Sequence, residues 1–250
     1  METFSWLSLA ALGAGAINAL AGGGTLLTFP ALQAVVGSVT ANATSSVALM
    51  PGSLASAWGY RREIRQSAGH LLLLMVPSLI GGGVGSLLLI LLPESVFDAL
   101  VPWLILSASV LFLMQPVVVK LLPKRDENAP RPTRTAVGVA LCQFVVAVYG
   151  GYFGAGMGIL MLSTLSFMNY ANIHEINAIK SLLAACINAV AVVIFIVDGR
   201  VAWTYGLPMT IATVLGGYLG AVLARRMNVR AVRWLVIVIG FGLSAYYFLK

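Results

Sequence analysis

Residues 149–181 read YGGYFGAGMGILMLSTLSFMNYANIHEINAIKS, and the whole chain is understood from this stretch outward. An apolar run arrives at Tyr149 and breaks on a glycine cluster: Gly150, Gly151, Gly154, Gly156 and Gly158. It resumes as a short apolar piece, Ile159 to Met168, and then enters an apolar segment that carries one cation, Lys180. A charged side chain inside a membrane segment is costly and marks function by default. An interrupted helix at membrane depth is tolerated only where protein or a water-filled cavity surrounds the break. A broken helix beside a buried lysine is one way to build an anion site in a transporter.

Composition supports the membrane setting. The 250 residues are 60% hydrophobic and 9% charged, with a mean hydropathy of +0.95. Soluble domains of this length are rarely so apolar, and apolar runs near 20 residues read as spans. The N-terminal METFSWLSLAALGAGA has no basic n-region and is not expected to be a cleavable signal peptide. A net charge of +7 would suggest nucleic acid in a soluble protein; here the basic residues sit in short loops and report topology. Cys142 and Cys186 lie in apolar runs without metal-ligand or CxxC spacing and read as inert thiols.

Taken in order, the chain gives eight hydrophobic segments. Segment one, Phe4 to Val36, is too long for one upright span and divides at Gly22, Gly23 and Gly24. Its pieces, about 17 and 12 residues, are each nearer half a bilayer than a full crossing. Segments two to four are Val39–Tyr60, Ser67–Leu92 and Val96–Leu122. A polar linker, residues 123–134, carries charges and prolines that forbid burial. Segment five, Thr135 to Met168, is again overlong and glycine-broken; segments six to eight are Ile173–Val197, Trp203–Ala224 and Ala231–Leu249. Residues 1–122 and 135–250 thus form two membrane repeats of one membrane domain.

The halves match each other. Asn42 to Ser46 aligns with Asn177 to Ser181, and Gly81, Gly82 and Gly85 with Gly216, Gly217 and Gly220, at one offset of 135 residues. Three basic clusters then fix how the halves are related: Arg61, Arg62 and Arg65; Lys120, Lys124, Arg125, Arg131 and Arg134; Arg225, Arg226, Arg230 and Arg233. The positive-inside rule places all three in the cytoplasm. That requires segment five, and by the repeat segment one, to be a re-entrant hairpin. The expected fold is an all-α polytopic membrane protein of two inverted repeats. Each repeat is a glycine-broken hairpin-like segment plus three transmembrane helices, with both termini outside a bacterial inner (plasma) membrane. The alternative is a plain eight-crossing arrangement.

The candidate substrate-binding residues follow from this arrangement. Lys180 supplies a full charge, against the competing reading that its stem snorkels to the interface. Asn42, Thr44, Ser45 and Ser46 offer hydroxyl and amide donors at the equivalent position, or else glue helices together. Asn177 and Ser181 flank Lys180 with the same two readings. Gly22, Gly23, Gly24, Gly154 and Gly156 would expose backbone amides and half-helix N-termini that favour negative charge; close helix packing competes. No catalytic constellation and no metal-ligand spacing is visible, so neither an enzyme nor a cofactor is expected.

These residues resemble the TauE/SafE sulfite exporter family, also called toluene-sulfonate uptake permeases. The resemblance is carried by Ala21-Gly22-Gly23-Gly24 with Pro30 and Leu32, by Ala43-Thr44-Ser45-Ser46, and by Gly150 to Gly158 with Ala178 and Ser181 downstream. It covers nearly the whole chain. It implies secondary transport, by an exporter, of a small sulfur-containing anion such as sulfite, or an organosulfonate such as sulfoacetate. An anion channel or a transporter of another small metabolite is the alternative. The implied partners are that anion, the lipid bilayer, and a coupled proton or sodium ion; no nucleic acid is implied.

Overall fold

The computed structural model describes residues 2–20, 23–66, 71–121, 133–168, 173–223 and 229–249. Among these residues every regular element is helical. Segment one becomes α1 (Glu2–Leu20) and α2 (Thr25–Gln33); segment two becomes α3 (Ser38–Gly59), followed by a short α4 (Arg61–Gln66) in the basic stretch between segments two and three. Segments three and four are α5 (Leu71–Leu91) and α6 (Glu94–Leu121). Segment five becomes α7 (Thr133–Tyr152) and α8 (Met157–Leu165), and the last three segments are α9 (Ile173–Val197), α10 (Trp203–Leu223) and α11 (Val229–Leu249). Stretches within α5, α6 and α9 are long and apolar enough to cross a membrane. Their outward faces stay apolar, as at Leu72, Leu91 and Val197. Such faces suit lipid rather than water.

Both overlong segments divide at their glycines, into a long helix and one of nine residues. A nine-residue helix is about 13 Å long, under half the hydrocarbon thickness. At the second break, Gly154 (φ +81) and Gly156 (φ +77) take the left-handed conformation that other residues reach only at a cost. The amides of Phe153 and Gly154 both close onto the Tyr149 carbonyl, ending α7. The Tyr149 hydroxyl donates to the Ala155 carbonyl at 2.5 Å and braces the loop. At the first break, α2 lies back on α1: a Cβ on Gly24 would stand 2.9 Å from the Ala14 carbonyl, and one on Gly13 would meet Leu27.

The opening helix of each half packs along a helix of the other half. α1 lies against α10, and α7 against α5. Glycine makes both contacts possible. A Cβ on Gly216 would lie 1.9 Å from the Leu12 carbonyl oxygen, and one on Gly15 2.1 Å from that of Thr213. In the other pair, a Cβ on Gly85 would lie 2.0 Å from the Val148 oxygen, and one on Gly151 2.2 Å from that of Gly82. Small residues that let backbones touch are the usual basis of helix packing in lipid. The Gly81/Gly82/Gly85 and Gly216/Gly217 motifs therefore work as packing surfaces.

Two further pairs cross between the halves: α6 against α11, and α3 against α9. Asn188 Nδ2 donates to Ser53 Oγ at 2.9 Å, and these two residues are themselves 135 positions apart. The α3–α9 crossing thus joins two positions separated by the same 135-residue offset as the sequence motifs. An aromatic cluster of Phe29, Phe97, Tyr152 and Phe153 fills the space beside the end of α7, in edge-to-face contacts of 5.5–5.9 Å.

Candidate functional site

Both glycine breaks reach α6 within one helical turn. A Cβ on Gly23 would meet the Phe112 ring at 2.8 Å, and one on Gly156 would meet Ala108 and Leu111 at 3.5 Å. Gly22 lies outside the described residues. Gly23 and Gly24 are buried, and Gly24 caps α2 in ordinary helical conformation. The breaks thus converge inside the protein, as an interrupted helix at membrane depth requires.

The second break carries the charge. Lys180 Nζ donates to Asn177 Oδ1 at 2.9 Å, within one turn of α9. Its stem lies beside the first turn of α8, where a Cβ on Gly158 would stand 3.7 Å from Lys180 Cδ. Gly156 caps that turn without a side-chain hydrogen bond. An ammonium next to a helix start concentrates positive potential, because the helix dipole adds its own partial charge there. Lys180 is half-buried, while Arg61, Arg62, Arg65, Lys120 and Arg200 are exposed. Ser181 is buried on the same stretch of α9. Asn177, Lys180 and Asn188 recur at helical spacing on α9, with the apolar Ala184 between Lys180 and the Asn188–Ser53 contact.

The first half uses its matching residues differently. Ser45, at the position equivalent to Lys180, faces the hydroxyl of Thr28 on α2 at 2.5 Å. Thr44 Oγ1 accepts the Ala202 amide at 3.0 Å and ties down the turn before α10. Ser46 Oγ donates back to the Asn42 carbonyl at 2.9 Å. Asn42 Nδ2 donates to the Tyr152 carbonyl at 2.9 Å, at the end of α7. Of the expected donor cluster, then, the described contacts engage Thr44, Ser45 and Ser46 within the fold. Asn42 keeps one open group: its Oδ1 is buried and has no hydrogen-bond partner among the described residues.

Sequence reasoning missed Thr28 and Tyr152. Thr28 sits within TLLTFPALQ, where a threonine between apolar residues carries no signal of its partner. Tyr152 directly follows the glycine pair; its carbonyl is one of the last four of α7, which a helix leaves without internal partners. Among the described residues there is no cluster of three or more His, Cys, Asp and Glu that could hold a metal. The larger surface groove, about 620 Å³ between α5 and α7, is lined by apolar side chains including Leu72, Ile80, Leu141 and Phe144, and suits lipid.

An all-helical chain with lipid-suited faces, two helix breaks meeting inside it and a lysine beside one of them has the construction of a multi-pass membrane transporter. The sequence profile of the family described as "Sulfite exporter TauE/SafE" matches residues 7–247, and the chain belongs to that family. It is 26% identical over 232 aligned residues to a probable membrane transporter protein of Haemophilus influenzae, covering 92% of this chain and 88% of that one. It is 26% identical over 257 aligned positions to the probable membrane transporter protein YfcA of Escherichia coli K12, covering 98% and 93%. A probable membrane transporter protein, ORF9, of a Sinorhizobium species is 26% identical over 243 residues, covering 96% and 90%.

Proposed function

We propose that this chain is a secondary transporter, working as an exporter in a bacterial inner membrane, for a small sulfur-containing anion: sulfite or an organosulfonate such as sulfoacetate. The observation that carries the reading is Lys180, hydrogen-bonded to Asn177 and set against the first turn of α8. An oxyanion there would gain the ammonium and the positive end of α8 together. The family name supports the sulfur chemistry. Residues 1–122 and 135–250 act as inverted repeats around this site, with the 123–134 linker and the basic clusters in the cytoplasm. Support comes from the exchange of helix partners, α1 with α10 and α7 with α5, and from the Ser53–Asn188 contact. The anion site lies at the second break; the first break and Asn42, Thr44, Ser45 and Ser46 form its counterpart.

The test is flux of labelled sulfite and sulfonates in proteoliposomes. A carrier gives saturable uptake and counterflow. Unsaturable conductance identifies an anion channel, and absence of flux for any sulfur oxyanion removes the reading.

A further inference from the structure

Asn42 and Asn177 occupy equivalent positions in the two halves, 42 and 177, yet their partners turn them in opposite senses. A carbonyl can only accept, so the Tyr152 carbonyl fixes the Asn42 amide with its Nδ2 inward toward α7. That leaves Oδ1, an acceptor, without a partner. An ammonium can only donate, so Lys180 fixes Asn177 with Oδ1 toward the charge. That turns the Asn177 donors away from Lys180. One half therefore presents donors and the other presents a lone pair.

Asn42 is 1% exposed, and the amide that carries its open oxygen meets the carbonyl end of α7 through its Nδ2. A helix C-terminus carries negative partial charge. Among the described residues, the Tyr152 hydroxyl is a further buried oxygen without a hydrogen-bond partner. The rings of Phe97 and Phe153, packed with Tyr152 and Phe29, keep water from replacing these contacts freely. An oxyanion is repelled by the amide oxygen and by the helix end, while the Tyr152 hydroxyl can accept or donate. A cation is drawn to all of them, and half-helix C-terminal ends with unwound carbonyls are a known setting for coupling ions. An amide oxygen is too weak a base to hold a proton near neutral pH. Divalent ions are usually held with at least one carboxylate, whereas the partner of the Asn42 side chain is a backbone carbonyl. Neutral oxygens match Na⁺.

We propose that Asn42 Oδ1, with the carbonyl end of α7, forms a site for a small monovalent cation, Na⁺, that is separate from the anion site at Lys180. Its role as the coupling ion rests on the transporter reading; its existence as a site does not. Purified protein is titrated with NaCl, with no anion substrate present, against potassium and N-methylglucamine chlorides at matched ionic strength. Thermal unfolding and binding of radiolabelled Na⁺ are followed. A ligand held only by the folded state raises the melting temperature. The expected result is a Na⁺-specific rise and saturable Na⁺ binding, with affinity weakened about tenfold or more in Asn42→Ala. Asn42→Asp, of the same size, should bind Na⁺ more tightly as pH rises and the carboxylate ionises. No Na⁺-specific shift or binding in the unmodified protein overturns the proposal and leaves the open oxygen to ordered water. So does Na⁺ affinity unchanged in Asn42→Ala, or, where that variant does not fold, pH-independent affinity in Asn42→Asp. Sulfite flux is measured separately, so loss of the transporter reading and loss of the cation site give different results.

Discussion

Replacing Lys180 by methionine removes the ammonium while keeping an unbranched side chain of similar length against Gly158. Two effects separate. On stability, the Asn177 Oδ1 atom loses its 2.9 Å donor. An acceptor left unpaired in a fully buried place costs about 1–3 kcal/mol. Asn177 is only half-buried, which puts it at the low end. Removing a partly desolvated charge offsets some of that cost, so the variant should insert and fold. On binding, loss of one hydrogen-bonded charge contact weakens affinity by roughly 2–5 kcal/mol. At about 1.4 kcal/mol per decade, that is roughly 30-fold to several thousand-fold. Binding and flux of sulfite in proteoliposomes, with gel filtration and a thermal melt as the folding control, read both effects. Lys180→Arg keeps the charge and should retain part of the binding. A folded Lys180→Met protein with normal affinity and flux would show that the lysine only extends its charge to the interface, and the anion site would have to be sought elsewhere.

The helix contacts give a sharper stability test. Gly85→Ala should destabilise by about 1–3 kcal/mol or more through overpacking, because the new Cβ would lie 2.0 Å from the Val148 oxygen. Gly138→Ala on the same α7 partner meets nothing within 4 Å and should leave the melting temperature unchanged. A double-mutant cycle on Ser53 and Asn188 should give a coupling near 0.6 kcal/mol, typical of hydrogen bonds between membrane helices; zero coupling would remove the contact as a link between the halves. Single cysteines at Thr3, Asn128 and Lys250, treated with an impermeant reagent, should label from outside at the two termini and only from inside at the linker. Labelling of position 250 only after permeabilisation would remove the inverted arrangement.

Much of the fold was legible because membrane helices announce themselves by length and hydropathy. The divisions of segments one and five were readable because glycine clusters interrupt runs too long to span once. The length of the short pieces came out at nine residues rather than the twelve or so suggested for the first, since helix ends depend on capping that hydropathy does not record. Lys180 was legible for the same reason, as a charge where charge is expensive. The fates of Thr44, Ser45 and Ser46 were not. A hydroxyl that lines a site and one that ties down a neighbouring turn look alike in sequence, and only the partner tells them apart. The partners here are 158 residues away for Thr44 and 17 for Ser45.

Residues matched by the 135-residue offset differ in their polar groups, and that difference would let the pair do work that two identical halves could not. At the equivalent position one half has a serine closed on Thr28 and the other a lysine beside α8. A symmetric pair of lysines would place two like charges in one protein interior, a cost that only paired anions could relieve. A symmetric pair of hydroxyls would carry no full charge at all. If the proposed anion site is at Lys180, its empty state would keep a poorly solvated cation, which disfavours that state. A ligand of positive sign would be repelled there. On the cation proposal it would be held at Asn42, where the amide is turned the other way. One singly charged anion and one Na⁺ bound together would add no net charge to the moving elements. The charge of Lys180 would then be the same loaded or empty and none would be transferred per cycle, where moving an unpaired ligand charge across the hydrocarbon is costly. Electroneutral flux, unaffected by an imposed membrane potential, is the behaviour this arrangement requires for a singly charged anion moving with one Na⁺.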